Sequence, residues 1–443
     1  MHSLGQRRRR VLIVVSSFSP VMIADMQRAR MLAWELPKFG WDVEVLTPAA
    51  GEVRQDAVEP DPNAFFSPET TVHEVGSFVR WIFELLGSRT HAWRTYLPMR
   101  WRGDELVGSK QFDLVYFTTT TFIFFTLGPR WKRRFGVPYI VDFHDPWVRE
   151  RSASESPVPW RTRVLDLLSV RMEKAVAAEA AGIVAVSFGY LESLRSRYFS
   201  MNPPWLSSNR NVVIPFGALE TDLLEAGKSA NASLRIGATE LPIRYIGAGG
   251  AIMARSFRLI CGAIALLRAH GHAVANNVRI RLYGTMYGWK SGDPKLLESI
   301  AMKAGIGDLV EEMPGRVSYR RSLELLLDSD GVLILGVDDA GYMPSKLFSY
   351  ALSGKPLLAS LRRDSPAFSQ LRSAPEMGQA IWFDETGEMP LDMAAKEVGR
   401  YLEAVAVHAT FDRRNVIRPF LASEMSRRHT ELFEACLNGA VQA

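Results

Sequence analysis

Short apolar runs alternate with amphipathic stretches along most of this chain. Residues 11–15 (VLIVV) are unbroken apolar, and 43–46 (VEVL), 112–117 (FDLVYF), 137–141 (VPYIV), 180–186 (AAGIVAV), 244–246 (RYI), 278–283 (VRIRLY), 332–335 (VLIL) and 357–359 (LLA) repeat the pattern. Runs this short suit strands buried on both faces of a parallel sheet. Between the first two, Met26, Ala29, Leu32, Ala33 and Leu36 share one helical face over about 25–39, and Gly40 stops it. A strand–helix–strand opening predicts a parallel, doubly wound sheet. The first loop, Ser16-Ser17-Phe18-Ser19-Pro20, lacks the glycines of a dinucleotide fingerprint. After about 218 the residues turn small, polar and charged, and the strand pattern restarts at 244. The fold class expected is α/β with two Rossmann-like domains, 1–218 and 241–418, a linker at 219–240, and a last helix within 419–443 whose buried face holds Leu421, Met425, Leu432 and Cys436.

The most informative stretch is 343–360, MPSKLFSYALSGKPLLAS. It follows the run 332–335 and a polar loop with Asp338, Asp339 and Gly341. Pro344 fits a first helical position, where a missing N–H is harmless. Leu347, Phe348, Ala351 and Leu352 fall on one face, Gly354 suits a left-handed helix end, and Pro356 blocks continuation. A helix start at the carboxyl edge of a parallel sheet offers N–H groups and positive dipole to an anion. Lys346 in that first turn opposes the dipole unless an anion joins it, and a phosphate fits. Taken alone, it also reads as a solvated surface lysine.

Other segments carry candidate chemistry. The strand at 137–141 delivers Asp142-Phe143-His144-Asp145-Pro146-Trp147 to the sheet's carboxyl edge, where sites of open α/β folds lie. Gly247, Gly249 and Gly250 follow the strand at 244–246 and permit close backbone approach, though the spacing is not G-x-G-x-x-G. Asp328 and Asp330 end a helix before a strand, and one carboxylate pair is a poor cation cage, so no metal site is expected. Residues 78–102 interleave Trp81, Phe83, Trp93, Tyr96 and Trp101 with five arginines. That composition suits an anionic membrane surface and equally suits a core-packing helix with solvated arginines. No nucleic-acid recognition motif accompanies it.

Composition narrows the class further. The chain of 443 residues is too long for one core. A net charge of +5 and a pI of about 9.1 suit an anionic partner such as a nucleotide sugar or acidic lipid. Two cysteines make no disulfide framework, which fits a cytoplasmic protein. The apolar run after Arg7–Arg10 is too short for a signal peptide. No stretch reads as the ~20 apolar residues of a membrane span, so a soluble or peripheral protein at the inner face of a membrane is expected.

PSKLFSYALSGKP resembles the donor-site segment of retaining family-four glycosyltransferases of the GT-B fold, whose form is close to PSKxxEYxAxGxP. DFHDPW at 142–147 is similar to that family's DFRDPW, VIPFG at 213–217 to its VIPNG, and Arg28 stands eight residues before Leu36 as in its N-terminal helix. The resemblance covers most of the chain. It implies two domains facing a cleft, with the last helix returning to the N-terminal half. It implies a metal-independent hexosyltransferase using a nucleotide-sugar such as a UDP- or GDP-sugar, with no cofactor, and a glycan or lipid-linked acceptor in envelope polysaccharide or glycolipid synthesis. Carried over by position, Lys346, Arg255, His144 and Asp145 are the catalytic candidates. Gly247, Gly249, Gly250, Gly284, Arg316, Ser345, Leu347 and Ser349 bind donor, and Ser17 and Arg28 lie on the acceptor side. Asp145 or Asp142 is a candidate base. Arg258 is a second choice for the diphosphate after Arg255. The family's two glutamates correspond to Gly341 and Ser349. That departure motivates an alternative, a GT-B scaffold or binding protein that has lost transfer. A sugar-nucleotide epimerase shares the architecture but needs paired acids and a histidine that the sequence lacks.

Overall fold

The computed structural model describes residues 7–53, 57–61, 65–67, 69–77, 91–109, 111–148, 160–229, 240–286 and 288–438. They divide into two compact units, Met1–Pro215 with Ala422–Ala443, and Phe216–Leu421.

The first unit is a seven-stranded sheet of β1 (Arg9–Val14), β2 (Trp41–Pro48), β3 (Thr71–Val75), β4 (Leu114–Thr118), β5 (Tyr139–Phe143), β6 (Gly182–Ala185) and β7 (Asn211–Val213). The order is β3-β2-β1-β4-β5-β6-β7, parallel throughout. β1, β4, β5 and β6 are buried on both faces, as their unbroken apolar runs require. The periodic segment after β1 is a 3-10 turn (Ala24–Met26), an α-helix (Gln27–Glu35) and a second 3-10 turn (Leu36–Phe39), closed by left-handed Gly40 at φ 84°. Pro37 explains the tightened last turn, since it has no N–H to continue the α-helical ladder.

The helix Ala422–Asn438 belongs to this unit. Met425, His429, Leu432, Phe433 and Cys436 are among its buried residues, and Phe433 packs against Trp41 and Tyr116 at 5.2 and 5.3 Å. A Cβ on Gly182 would sit 2.6 Å from the Cys436 sulfur, so β6 needs glycine there for the helix to seat. Leu421, expected on the same face, instead pairs with Ala218 in the second unit.

The second unit repeats the plan with β8 (Leu241–Ile246), β9 (Val278–Tyr283), β10 (Val310–Met313), β11 (Gly331–Leu335), β12 (Leu357–Arg362), β13 (Gln379–Asp384) and β14 (Gly387–Glu388). The order is β10-β9-β8-β11-β12-β13-β14, parallel except for the terminal β13–β14 hairpin. Both sheets therefore carry the doubly wound order 3-2-1-4-5-6, plus one edge strand. Residues 220–229, read from composition as linker, form the helix Glu220–Ser229, which Asp222 ties to Tyr319 at 2.7 Å; residues 230–239 lie outside the described set. Gly250–Ala269 is long and apolar enough to cross a membrane, contrary to the expectation from sequence. Its Phe257, Ile260, Cys261 and Ile264 belong to the core of this unit, so the apolarity is that of a core helix.

Candidate functional site

In a doubly wound sheet, ligands bind beyond the carboxyl ends of the strands where the order reverses. In the second unit that point lies between β8 and β11. Lys346 reaches it. Its Nζ donates to the carbonyl of Ile246, the last residue of β8, at 2.7 Å and stands 4.9 Å from the centre of the Tyr245 ring. The Tyr350 hydroxyl donates to the same carbonyl at 3.0 Å. Gly247 has φ 150°, and a Cβ there would fall 1.5 Å from the lysine nitrogen. The ammonium therefore occupies space that only a glycine leaves open. Burial pushes Lys346 down to about 8, because few dipoles replace the water it has lost.

The helix following the lysine is Leu347–Leu352, with Lys346 as its N-cap. Pro344 is not its first residue. Leu347 N donates to Pro344 O at 3.2 Å, so a separate turn precedes the helix. So short a helix adds little dipole, and the positive charge here is mainly that of the lysine. Gly354 takes the left-handed end expected, at φ 73°. Ser345 and Ser349 are partly buried, while Leu347 is fully buried with its N–H already bound to Pro344 O, so the expected donor contact at Leu347 is not exposed.

Three further candidate glycines follow β8 and β9. Gly284, at φ 73°, lies against the Gly247 backbone, 3.9 Å from where its Cβ would be. Gly249 N donates to Thr285 O at 3.0 Å. Gly250, at φ 77°, opens a 3-10 turn. Arg316 and Arg258 are exposed. Arg255 is turned to the β13–β14 hairpin, donating to Asp384 O and Gly387 O at 2.7 and 2.8 Å and pairing with Glu388 at 3.1 Å and Asp338 at 3.4 Å. It stands with the Arg362 cluster, since Arg362 also binds Asp338, at 2.8 Å. Asp328 pairs with Arg244 at 2.8 Å and Asp330 with His408 at 2.9 Å, so the two acids of that D-x-D serve different partners.

The equivalent edge of the first unit holds a buried polar network. Asp142 ends on one oxygen, Oδ2, with Arg28 Nε, His144 Nε2 and Thr118 Oγ1 each at 2.8 Å and Tyr116 Oη at 2.9 Å. Arg28 also donates to Ile214 O at 2.6 Å. His429, from the last helix, stands 2.9 Å from the same tyrosine hydroxyl. The other imidazole nitrogen of His144 faces Asp25 at 3.8 Å. Asp25 accepts from Thr120 N at 2.6 Å, from Thr119 Oγ1 at 3.1 Å and from the Ser16 hydroxyl.

Burial opposes charge on Asp142, but Arg28 and then His144 outweigh it, holding the carboxyl well below the usual range. Burial likewise opposes charge on His144, and Asp142 outweighs it, raising the imidazole to about 9. For His429, burial reinforced by nearby Arg28 wins, and the ring is pushed down to about 3. One fixed imidazolium and one neutral imidazole thus share a carboxylate neighbourhood. Asp142 is fully buried and held as the anion, so it orders its neighbours instead of taking a proton from a ligand; Asp145 is exposed. Ser17 is buried, and its hydroxyl has no hydrogen-bond partner among the described residues.

The structure brings together Lys346, Gly247 and Gly284 in one unit and Arg28, Asp142 and His144 in the other. Sequence reading missed Asp25, Tyr116, Thr118, His429 and Tyr350. Only Asp25 left a trace, being one turn ahead of Arg28; the others look like ordinary strand or helix residues. Also missed was Ser256, whose hydroxyl donates to Ser360 O at 2.8 Å and accepts from Gly336 N at 3.1 Å, pinning the start of the loop after β11.

Residues 26–217 match the family model described as a glycosyl transferase 4-like domain. No curated protein sequence matches the chain. Among solved structures, HepE of Anabaena in complex with UDP and glucose aligns with a TM-score of 0.56 and 12% identity, over 96% of this chain and 99% of that one. The UDP-forming α,α-trehalose-phosphate synthase of Burkholderia xenovorans gives 0.61 and 15%, over 98% and 100%. The N-terminal domain of trehalose-6-phosphate phosphatase from Candida albicans gives 0.64 and 13%, over 98% and 99%. At these identities the structures establish the fold: two Rossmann-like domains of the GT-B type. The resemblance to GT-B glycosyltransferases drawn from the sequence appears again in an independent family model and in the architecture.

Proposed function

We propose that the protein is a glycosyltransferase that moves a sugar from a nucleotide diphosphate-sugar, with retention and without a metal, to a glycan or lipid-linked acceptor. The observation that carries this reading is the Lys346 ammonium, drawn over Gly247 at the switch point of the second sheet. This cation is held by one carbonyl and the face of an aromatic ring, with no acidic side chain paired to it among the described residues, and a diphosphate supplies an anion. The comparisons support the donor class, since HepE and the trehalose-phosphate synthase are described with UDP or as UDP-forming. Lys346 and the 344–347 backbone stabilise the leaving diphosphate. Arg255 joins them by exchanging part of its hairpin contacts for phosphate. His144, fixed as a cation by Asp142, is assigned to the transferred sugar by the family resemblance, and Asp145 is the candidate base. Front-face departure and attack follow from the same resemblance.

Envelope polysaccharide or glycolipid synthesis, at the inner face of a membrane touched through 78–102, completes the proposal. Residues 78–90 of that segment lie outside the described set; 91–102 open the helix His91–Ser109, where Trp93 and Trp101 are exposed. The test is a panel of UDP-, GDP- and other nucleotide-sugars, followed by thermal shift and by release of the nucleotide. A stabilising shift with donor hydrolysis or transfer is expected. Loss of the two glutamates at Gly341 and Ser349 favours the second reading, a GT-B binding protein without turnover. A shift with no release, on any donor and with acceptor lipids present, selects that reading; no shift with any nucleotide sinks both.

A further inference from the structure

Helix Trp160–Glu179 buries Glu173, Val176 and Ala177 in its second half and exposes residues 163–168 of its first. Val164, Leu165, Leu167 and Leu168 are 46, 55, 61 and 41% exposed. Single exposed aliphatics are ordinary, but four within five residues form a contiguous patch. Leu165, Leu168, Met172 and Val176 follow one another at helical spacing. Val176 belongs to the core and Leu165 and Leu168 stand in water, so one apolar stripe runs off the core into solvent.

The stripe is bordered by cations. Arg163, Arg171 and Lys174 on the same helix are exposed. The neighbouring helix Leu127–Phe135 adds Arg130, Arg133 and Arg134, with Asp104 and Glu179 as their counter-ions. Between the two helices lies a cavity of about 320 Å³, lined by Pro129, Leu168 and Met172 together with Arg130, Arg133 and Arg171.

The geometry points to a docking surface for a bilayer of anionic phospholipid on these two helices. Aliphatic side chains flanked by guanidinium groups match the two layers such a surface presents, the acyl boundary and the phosphate headgroups. The cavity offers Arg171 to a headgroup phosphate, beside Arg130 and Arg133 that are paired with Asp104 and Glu179, and an apolar wall to the glycerol and first methylenes. A second copy of the chain fits poorly, because a two-fold contact sets this patch against itself and cation against cation. The inference builds on the membrane contact proposed above but moves it to helices other than 78–102. Its consequence is that a lipid-linked acceptor is met at the surface that carries it.

The experiment is co-sedimentation of the full chain with vesicles of phosphatidylcholine, alone and mixed with phosphatidylglycerol. Binding to the mixed vesicles only, weakening with salt, is expected. Replacing Leu165 and Leu168 together by Ser, or Arg163 and Arg171 together by Ser, should lower the partition at least roughly tenfold, at about fivefold per cation removed. These positions are exposed, so both variants should keep the wild-type melting temperature. Wild type that stays in solution with anionic vesicles overturns the inference, as do folded variants that partition like wild type. A concentration-dependent dimer, lost in Leu165→Ser/Leu168→Ser and unaccompanied by vesicle binding, overturns it in favour of self-association. Thermal shift with nucleotides on the same samples separates the two proposals: vesicle binding without any nucleotide response supports the docking surface and sinks the donor site.

Discussion

Lys346 Nζ lies 2.7 Å from the Ile246 carbonyl and in the space where any side chain on Gly247 would stand. Strand end, glycine and lysine therefore form one unit, and a change at one is felt at the others. Removing the cation by Lys346→Ala should lower kcat/KM for the donor by more than about tenfold, since one charge-assisted contact to a phosphate is worth roughly 1.5–3 kcal/mol. Thermal melting checks that the fold survives. Turnover at the wild-type level would falsify the phosphate role.

The same ammonium gives a pH signature. Burial pushes it down to about 8 in the free protein, so it discharges as pH rises through that value. Nucleotide diphosphate affinity measured by calorimetry should fall above about pH 8, and Lys346→Met should abolish that dependence. A flat profile in the wild type would mean that another group carries the attraction.

Gly247→Ala should disable the donor site without touching any charge. A methyl group would sit 1.5 Å from Nζ, at a backbone φ of 150° that L-residues rarely adopt. The strain is on the order of 1–3 kcal/mol, and the lysine must leave. Loss of the nucleotide-induced thermal shift, with a modest drop in melting temperature, is expected. An unchanged shift would show that the lysine works from elsewhere.

His144 sets an alkaline limit on stability. Its ordinary value is 6.5 and in the folded chain it is held up to about 9. The folded state then binds a proton that the unfolded state releases between those values. The contribution, on the order of 3 kcal/mol, is complete below pH 6.5 and lost as pH climbs through 9. His429 acts in the opposite direction. Held neutral, down to about 3, it costs stability as pH falls below 6.5 and the unfolded ring protonates. Chemical denaturation across pH 5–10 should show a maximum near 6.5, and His144→Gln should flatten the alkaline side. An alkaline limb that persists in that variant would assign it to another group.

Arg28 and Asp142 are an ion pair with neither side chain exposed, 2.8 Å apart. Arg28→Met leaves a buried carboxylate with less compensation and should cost about 3–5 kcal/mol. The double variant Arg28→Met/Asp142→Leu should recover part of that loss, because it removes the stranded charge. Urea melts of the two variants compare them directly; a double variant no more stable than the single would mean that His144, Tyr116 and Thr118 depend on Asp142 for more than neutralisation.

Local pattern carried most of the architecture. Short apolar runs such as VLIVV and VLIL, too short for helices, read as strands covered on both sides, and helical periods between them favour parallel connections. Gly40 and Gly354 marked left-handed helix ends because no other residue type enters that conformation cheaply. Lys346 was legible because a lysine at the start of a helix contradicts its neighbours unless something anionic joins it. Tertiary structure decided what no local pattern encodes. Pro344 fell outside the helix because the backbone turns once more before Leu347. Arg255 met a hairpin more than a hundred residues further along the chain. Tyr116, Asp142 and His429 converged from two strands and the last helix. Spacing within a segment fixes which side chains share a face; long-range packing alone sets which faces meet, and with that the charge states of the groups between them.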